Sequence, residues 1–212
     1  YLFQGGPIYF SYMALAVLIN AFKFFTEERE KKQIKSTFSH FVSAEVVGQM
    51  LKDPKKMQLG GASKEVTVMF TDLASFTSIS EALSARDLAN LLNLYFTEMT
   101  KVIFKNRGTL DKYIGDAMMA FWGAPLPVET PADDACRSAL MMNKRLASFN
   151  EQKSHQLTMR MGINTGQAIV GNLGSEMQFS YTAMGDSVNL ASRLESINKQ
   201  YGTLIIIGDT TY

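Results

Sequence analysis

The chain has 212 residues, 46% of them hydrophobic, enough for one well-buried core and too few for two. Its 21 lysines and arginines nearly balance 20 aspartates and glutamates, so no overall positive field recruits nucleic acid. One cysteine, Cys136, excludes an intrachain disulfide framework and fits a reducing compartment; two distant histidines, His40 and His155, lack acids or cysteines at the spacing zinc needs.

Residues 1–7, Tyr1 to Pro7, resemble the remnant of an engineered protease-cleavage site and are set aside. Ile8 to Phe25 is apolar on every side of a helix, with Lys23 its only charge. About 18 such residues reach the short edge of a membrane span, and the aromatics toward both ends suit its interfaces. Residues 8–25 are therefore expected to be the last part of a transmembrane helix, an exposed dimerising helix being the alternative. Thr26 to Lys35 is mixed but mainly basic, a solvated helix face that, beside a span, points this side toward the cytoplasm. Ile34, Phe38, Phe41, Val42, Val46 and Val47 keep an apolar stripe going to about Met50. Residues 26–56 thus read as a helical linker, ended by Lys52-Asp53-Pro54-Lys55-Lys56.

The globular domain, residues 57–212, opens with Glu65 to Thr71, the near-continuous β-branched and apolar run of a strand covered on both faces. It breaks off in Phe70-Thr71-Asp72-Leu73-Ala74-Ser75-Phe76-Thr77. An acid at a strand end suits a metal, and the small and hydroxyl residues after it suit a helix start or turn whose N–H groups face phosphate. An ordinary helix cap or loop acid is the other reading of Asp72. Ser84-x-x-Asp87 resembles a capping box, opening a helix with Leu88, Leu91, Leu92, Tyr95, Phe96, Met99, Val102 and Ile103 on one face and Gly108 at its close. Thr109–Ile114 and Ala117–Trp122 are strands joined by the Gly115-Asp116 turn. Thr130-Pro131 starts the next helix, with Ala135, Cys136, Ala139, Leu140, Leu146 and Phe149 inward. Leu157–Ile163 and Gln167–Val170 are expected to form a second hairpin around Asn164-Thr165-Gly166. After Gly171-Asn172-Leu173-Gly174 and a polar loop, Asp186 is expected to cap a helix with Val188, Leu190, Ala191, Leu194 and Ile197 inward, ended by Gly202. Thr203–Ile207 is a final strand. Mixed elements with frequent hairpins predict an α+β sheet covered by helices on one face.

If the Gly115-Asp116 hairpin pairs beside the Glu65–Thr71 strand, Asp116 comes next to Asp72. Two carboxylates there make a hard, oxygen-rich pocket for magnesium or manganese, the arrangement used in two-metal phosphoryl and nucleotidyl transfer. A common turn pair is the alternative for Gly115-Asp116. Asn189 and Arg193, four apart, share one helical stripe; arginine suits a phosphate under attack, and solvated surface is the alternative.

Phe70-Thr71-Asp72-Leu73-x-x-Phe76-Thr77, Lys112-x-x-Gly115-Asp116, Gly162-Ile163-Asn164-Thr165-Gly166 and Gly185-Asp186-Ser187-Val188-Asn189-Leu190-Ala191-Ser192-Arg193 closely resemble the class III nucleotide cyclases, in the same order, over about Leu59 to Ile207. Ile8 to Met50 is similar to the membrane exit and connecting helix of bacterial members that carry an upstream sensor domain. The resemblance implies a ferredoxin-like, palm-like sheet, a symmetric homodimer, and a cytoplasmic catalytic domain held at the cell membrane. It implies Asp72 and Asp116 as ligands of two Mg²⁺ or Mn²⁺ ions, joined by the Leu73 carbonyl, with the backbone of Ala74, Ser75, Phe76 and Thr77 facing the triphosphate. Lys112 and Thr182 match the adenine-recognising pair of a bacterial subtype, where guanylyl cyclases place Glu and Cys. Asn189 matches the residue that orients the ribose, and Arg193 the one that stabilises the transition state at the α-phosphate. The implied reaction converts ATP to 3′,5′-cyclic AMP and pyrophosphate, one subunit supplying the metal acids and the other Lys112, Thr182, Asn189 and Arg193. The family continues past the point matching Tyr212 and supplies a further lysine to the triphosphate, which has no counterpart here, so weak nucleotide binding is expected. The alternatives are a non-catalytic, cyclase-derived dimerisation and signalling module and a guanylyl cyclase. A diguanylate cyclase should show a Gly-Gly-Asp/Glu-Glu-Phe hairpin, which Lys112–Asp116 does not match.

Overall fold

The computed structural model describes residues 6–39, 43, 47–48, 51, 61–151, 156–175 and 179–212. Helix α1 (Gly6–Phe38) is continuous over 33 residues, taking in Gly6, Pro7, the apolar stretch and the charged run. Within it, Tyr9–Thr26 is long and apolar enough to cross a membrane, with mean hydropathy 1.3 and none of it buried. Phe41, Val42, Val46, Met50, the Lys52–Lys56 turn and both histidines lie outside the described residues.

The domain then runs β1 (Ala62–Leu73), α2 (Phe76–Ala82), α3 (Ala85–Lys105), β2 (Thr109–Ile114), β3 (Ala117–Trp122), α4 (Pro131–Asn150), β4 (Met159–Gly174), β5 (Phe179–Met184), α5 (Asp186–Tyr201) and β6 (Ile205–Ile207), with a short 3₁₀ turn at Asp209–Thr211. The sheet order is β2-β3-β1-β4-β5, with β6 parallel to β4. This is the expected α+β, ferredoxin-like order. Ser84 caps α3 as its spacing predicts, its Oγ accepting the Asp87 N–H at 3.2 Å and donating to the Asp87 carboxylate at 2.6 Å.

Side-chain alternation along β1 sorts the core into two layers. Met69 and Leu73, with Met159, Met161 and Ile163 of β4, pack on Tyr95, Met99 and Ile103 of α3 and on Ala139 and Met142 of α4. Val66 and Val68, with Ala168 and Val170, pack on Val188 and Ala191 of α5. Helices therefore lie against both faces, which corrects the one-face expectation.

The second hairpin is also corrected: β4 passes unbroken through Asn164-Thr165-Gly166, pairing Gly162 with Phe70 and Gly166 with Val66 of β1. The glycine that reads as turn punctuation serves close packing instead. A Cβ on Gly162 would stand 2.1 Å from the Glu195 nitrogen and 2.3 Å from the Ala191 carbonyl oxygen, so α5 can lie this close only over bare backbone. Gly171–Gly174 likewise belongs to β4 and pairs with β5, which draws Thr182 out of the expected polar loop into a strand. Three smaller expectations change. Leu140 is exposed, because it lies about 100° around the helix from the Ala139 stripe, and Met142 is buried in its place. Leu190 is exposed for the same reason relative to Ala191, while Asn198 is buried and donates its amide to the Met161 carbonyl at 2.9 Å. Asp186 is the first helical residue of α5 and makes no cap; Gly185 holds that position.

Candidate functional site

Asp72, second from the end of β1, stands directly across the sheet from Arg160 of β4. Arg160 donates to it at 2.7 Å through Nη2, and its Nε lies 3.3 Å from a Glu195 carboxylate oxygen on α5. The β1–β3 register pairs Thr71 with Met118, which carries the β2–β3 turn to the same end of β1. There Gly115 takes the left-handed backbone the turn requires, at φ +64°, and the Leu73 N–H donates to Asp116 at 3.3 Å. Asp72 and Asp116 thus come together as the hairpin reasoning expects.

Burial pushes the Asp116 carboxyl above its ordinary range, and the Asp72 charge raises it further. Glu195 is raised for the same two reasons, burial first, against the opposing pull of Arg160. Asp72 and Glu195 therefore share one guanidinium, and Asp116 adds a further acid beside Asp72. Hard oxygen donors short of positive charge fit a divalent cation. Among the described residues no three His, Cys, Asp or Glu side chains converge as a cage. Two carboxylates completed by backbone and substrate oxygens are the mode suited to magnesium, which is held through few side chains and substrate phosphates.

After Leu73 the chain turns sharply, with Ser75 in the left-handed region at φ +58° ahead of α2. The Ala74 N–H donates to the Thr158 carbonyl at 2.7 Å and is thereby engaged within the domain. Ser75, Phe76 and Thr77 lead into α2, whose first N–H groups lack intrahelical acceptors. The Phe76 ring packs on the core below.

A third group of residues forms around a side chain that sequence reasoning missed. Register slips between Leu110 and Lys112, so Asp111 is the extra residue of a β-bulge in β2. The bulge pairs Leu110 with Ala120 and Lys112 with Met119, and those two partners belong to opposite core layers. Lys112 is thereby turned to the face away from α3 and α4, and Tyr113 to the other, where its ring stacks on Phe96 of α3. Asp111 is buried, and one of its oxygens accepts both the Thr182 hydroxyl at 2.5 Å and the Ala183 N–H at 3.3 Å. Its other oxygen lies 3.3 Å from the Lys112 ammonium. Lys112 and Thr182, 70 positions apart in sequence, are thus joined through one carboxylate. Burial pushes that carboxyl up, countered by the Thr182 hydrogen bond and the Lys112 charge.

Asn189 and Arg193 share an exposed face of α5. Glu195, two residues on, points about 160° away from Arg193, toward the sheet and Arg160. The ribose and phosphate candidates therefore face outward, turned away from this chain's own Asp72. Besides Asp111, sequence reasoning missed Arg160 and Glu195. The available signal was a lone arginine between Met159 and Met161 in an apolar strand, which needs a buried or half-buried acid as partner.

The sequence profile described as the adenylate and guanylate cyclase catalytic domain matches residues 60–212. Adenylate cyclase 1 of Rhizobium meliloti is 38% identical over 174 residues, covering 80% of this chain and 26% of that protein. The crystal structure of the adenylyl cyclase CyaB from P. aeruginosa is similar with a TM-score of 0.65 and 39% identity, covering 73% of this chain and 81% of that one. That of the guanylyl cyclase Cya2 is similar with a TM-score of 0.67 and 37% identity, covering 72% and 79%. The chain spans 26% to 37% of the length of the first two curated relatives it matches.

Proposed function

The chain belongs to the class III nucleotide cyclases, the family of adenylate and guanylate cyclase catalytic domains, and from that premise we propose that it converts ATP to 3′,5′-cyclic AMP and pyrophosphate at a site shared by two copies of itself. The observation that carries this reading is a division of labour: Asp72 and Asp116 meet at one end of the sheet, while Asn189 and Arg193 face outward on α5.

Asp72 and Asp116, with the Leu73 carbonyl, would hold two Mg²⁺ or Mn²⁺ ions. Bound there, the cations supply charge neutralisation of the triphosphate and a lowered pKa for the ribose 3′ hydroxyl. Arg160 keeps the Asp72 carboxylate oriented when no ion is present. The opening of α2 at Ser75–Thr77 faces the triphosphate. From the second copy, Asn189 orients the ribose and Arg193 donates to the α-phosphate oxygens as charge builds on them. The bond from O3′ to the α-phosphorus forms as the bond to pyrophosphate breaks, and the hydroxyl proton is released.

Adenylyl and guanylyl cyclases stand at nearly the same identity to this chain. The choice of base therefore rests on Lys112 and Thr182, joined through Asp111. A position on the cytoplasmic side of a membrane, coupled to an upstream sensor domain, completes the proposal, and it is supported by the Tyr9–Thr26 stretch of α1, which is long and apolar enough to cross a membrane.

The test measures cyclic nucleotide formed from ATP and GTP with Mg²⁺ and with Mn²⁺. ATP is the preferred substrate, Arg193→Ala lowers kcat by about 10²- to 10³-fold, and Lys112→Glu erodes the preference for ATP. A purified dimer that forms no cyclic nucleotide with Mn²⁺ present sinks the assignment in favour of a non-catalytic dimerisation module.

A further inference from the structure

We infer that Asp111 determines base specificity: by taking the Thr182 hydroxyl proton as a hydrogen bond, it leaves Thr182 able only to accept, and so selects a purine with an amino group at C6 over one with a carbonyl. The inference rests on the reading that Lys112 and Thr182 face the base.

A threonine hydroxyl has one proton to donate and lone pairs to accept with, and its rotor turns freely. Left alone, Thr182 would read an amino group and a carbonyl alike, by accepting from one or donating to the other. Asp111 removes that freedom. The Ala183 N–H can only donate, and it points at the same Asp111 oxygen as the Thr182 hydroxyl, so that oxygen is an acceptor. The Lys112 ammonium beside the other oxygen favours the carboxylate. The Thr182 proton is therefore committed to Asp111.

What then remains toward a ligand is an acceptor on Thr182 and a donor on Lys112. That pair matches the amino group and ring N1 of adenine. It mismatches guanine and hypoxanthine, which place a carbonyl at C6 and an N–H at N1. The β-bulge makes the arrangement possible, because in a regular strand Asp111 and Lys112 would point to opposite faces. The burial of Asp111 adds to the selection, since a buried carboxylate holds its donors where a solvated one shares them with water.

The test compares ATP with inosine triphosphate, which differs from ATP only at C6 and N1 of the base. Calorimetric binding to the full chain carrying Arg193→Ala, with Mn²⁺, reads base recognition without turnover. The reference chain prefers ATP. Asp111→Leu should cut that preference about tenfold, the loss of one net hydrogen bond, while Asp111→Asn, which keeps an acceptor for Thr182, should retain it. Thr182→Val should also cut the preference, leaving the part that Lys112 reads at N1, and in that background Asp111→Leu should change the ratio no further. Equal weakening of both nucleotides by Asp111→Leu overturns the inference, because a purely structural role lowers both alike. Should Asp111→Leu not fold, an unchanged ratio in Thr182→Val overturns it equally. Failure of the Arg193-intact chain to make cyclic AMP, with the ratios as expected, rejects the reaction and leaves the base reading in place.

Discussion

Asp116 accepts the Leu73 amide while sitting beside Asp72, and the arrangement costs stability. Its folded carboxyl lies above the ordinary 3.8, through burial first and the Asp72 charge second. A raised acid contributes most to stability below pH 3.8 and loses that contribution as pH rises through its folded value. Asp116→Asn, which keeps the acceptor for Leu73, should therefore be more stable than the parent at pH 7 in EDTA. The gain is at most about 1 kcal/mol, because the group is partly exposed and screened. Thermal denaturation from pH 7 to pH 4 checks the sign: the gap should narrow as pH falls. The same change should lower turnover at least about a hundredfold, and Mn²⁺ should raise the Tm of the parent more than that of the variant. Asp116 was legible in the sequence because a Gly-Asp turn announces itself. Asp111 was not, because a bulge is a property of register and nothing in Leu110-Asp111-Lys112 marks the extra residue.

At the scale of elements, local pattern gave α3, α4, β2 and β3 nearly to the residue, since caps, proline and turn chemistry all act within a few positions. The long strand β4 defeated the same reasoning. Asn164-Thr165-Gly166 has the composition of a turn, yet its pairing with β1 and the approach of α5 are contacts with distant parts of the chain. The two kinds of glycine separate on mutation. Gly162→Ala drives a Cβ into the α5 backbone and should cost about 3 kcal/mol or more, since neither backbone can yield. Gly115→Ala meets nothing within 4 Å and should cost about 1 kcal/mol, the strain of a left-handed alanine. Urea denaturation of the two variants measures the difference; equal losses would mean that α5 has room to move off the sheet.

At the scale of the whole molecule, the faces of α5 decide how many copies a site needs. Glu195 turns inward to Arg160, which holds Asp72, whereas Asn189 and Arg193 turn outward on the same helix. A rigid helix cannot present both faces to one substrate, so on the proposed reading a nucleotide held at Asp72 and Asp116 is expected to be reached by the Arg193 of a second copy. A two-fold symmetric dimer would then have two equivalent sites, each with acids from one chain and Arg193 from the other. A chain carrying Asp72→Ala and a chain carrying Arg193→Ala should each be nearly inactive alone. Mixed one to one and allowed to exchange, about half of the dimers pair unlike chains, and each of those has one site with both defects and one with none. Activity should therefore recover to about a quarter of the parent's. The increase should follow the time course of subunit exchange. A mixture that stays inactive after exchange has been demonstrated by cross-linking would place Arg193 and Asp72 in one chain's site, against the geometry of α5.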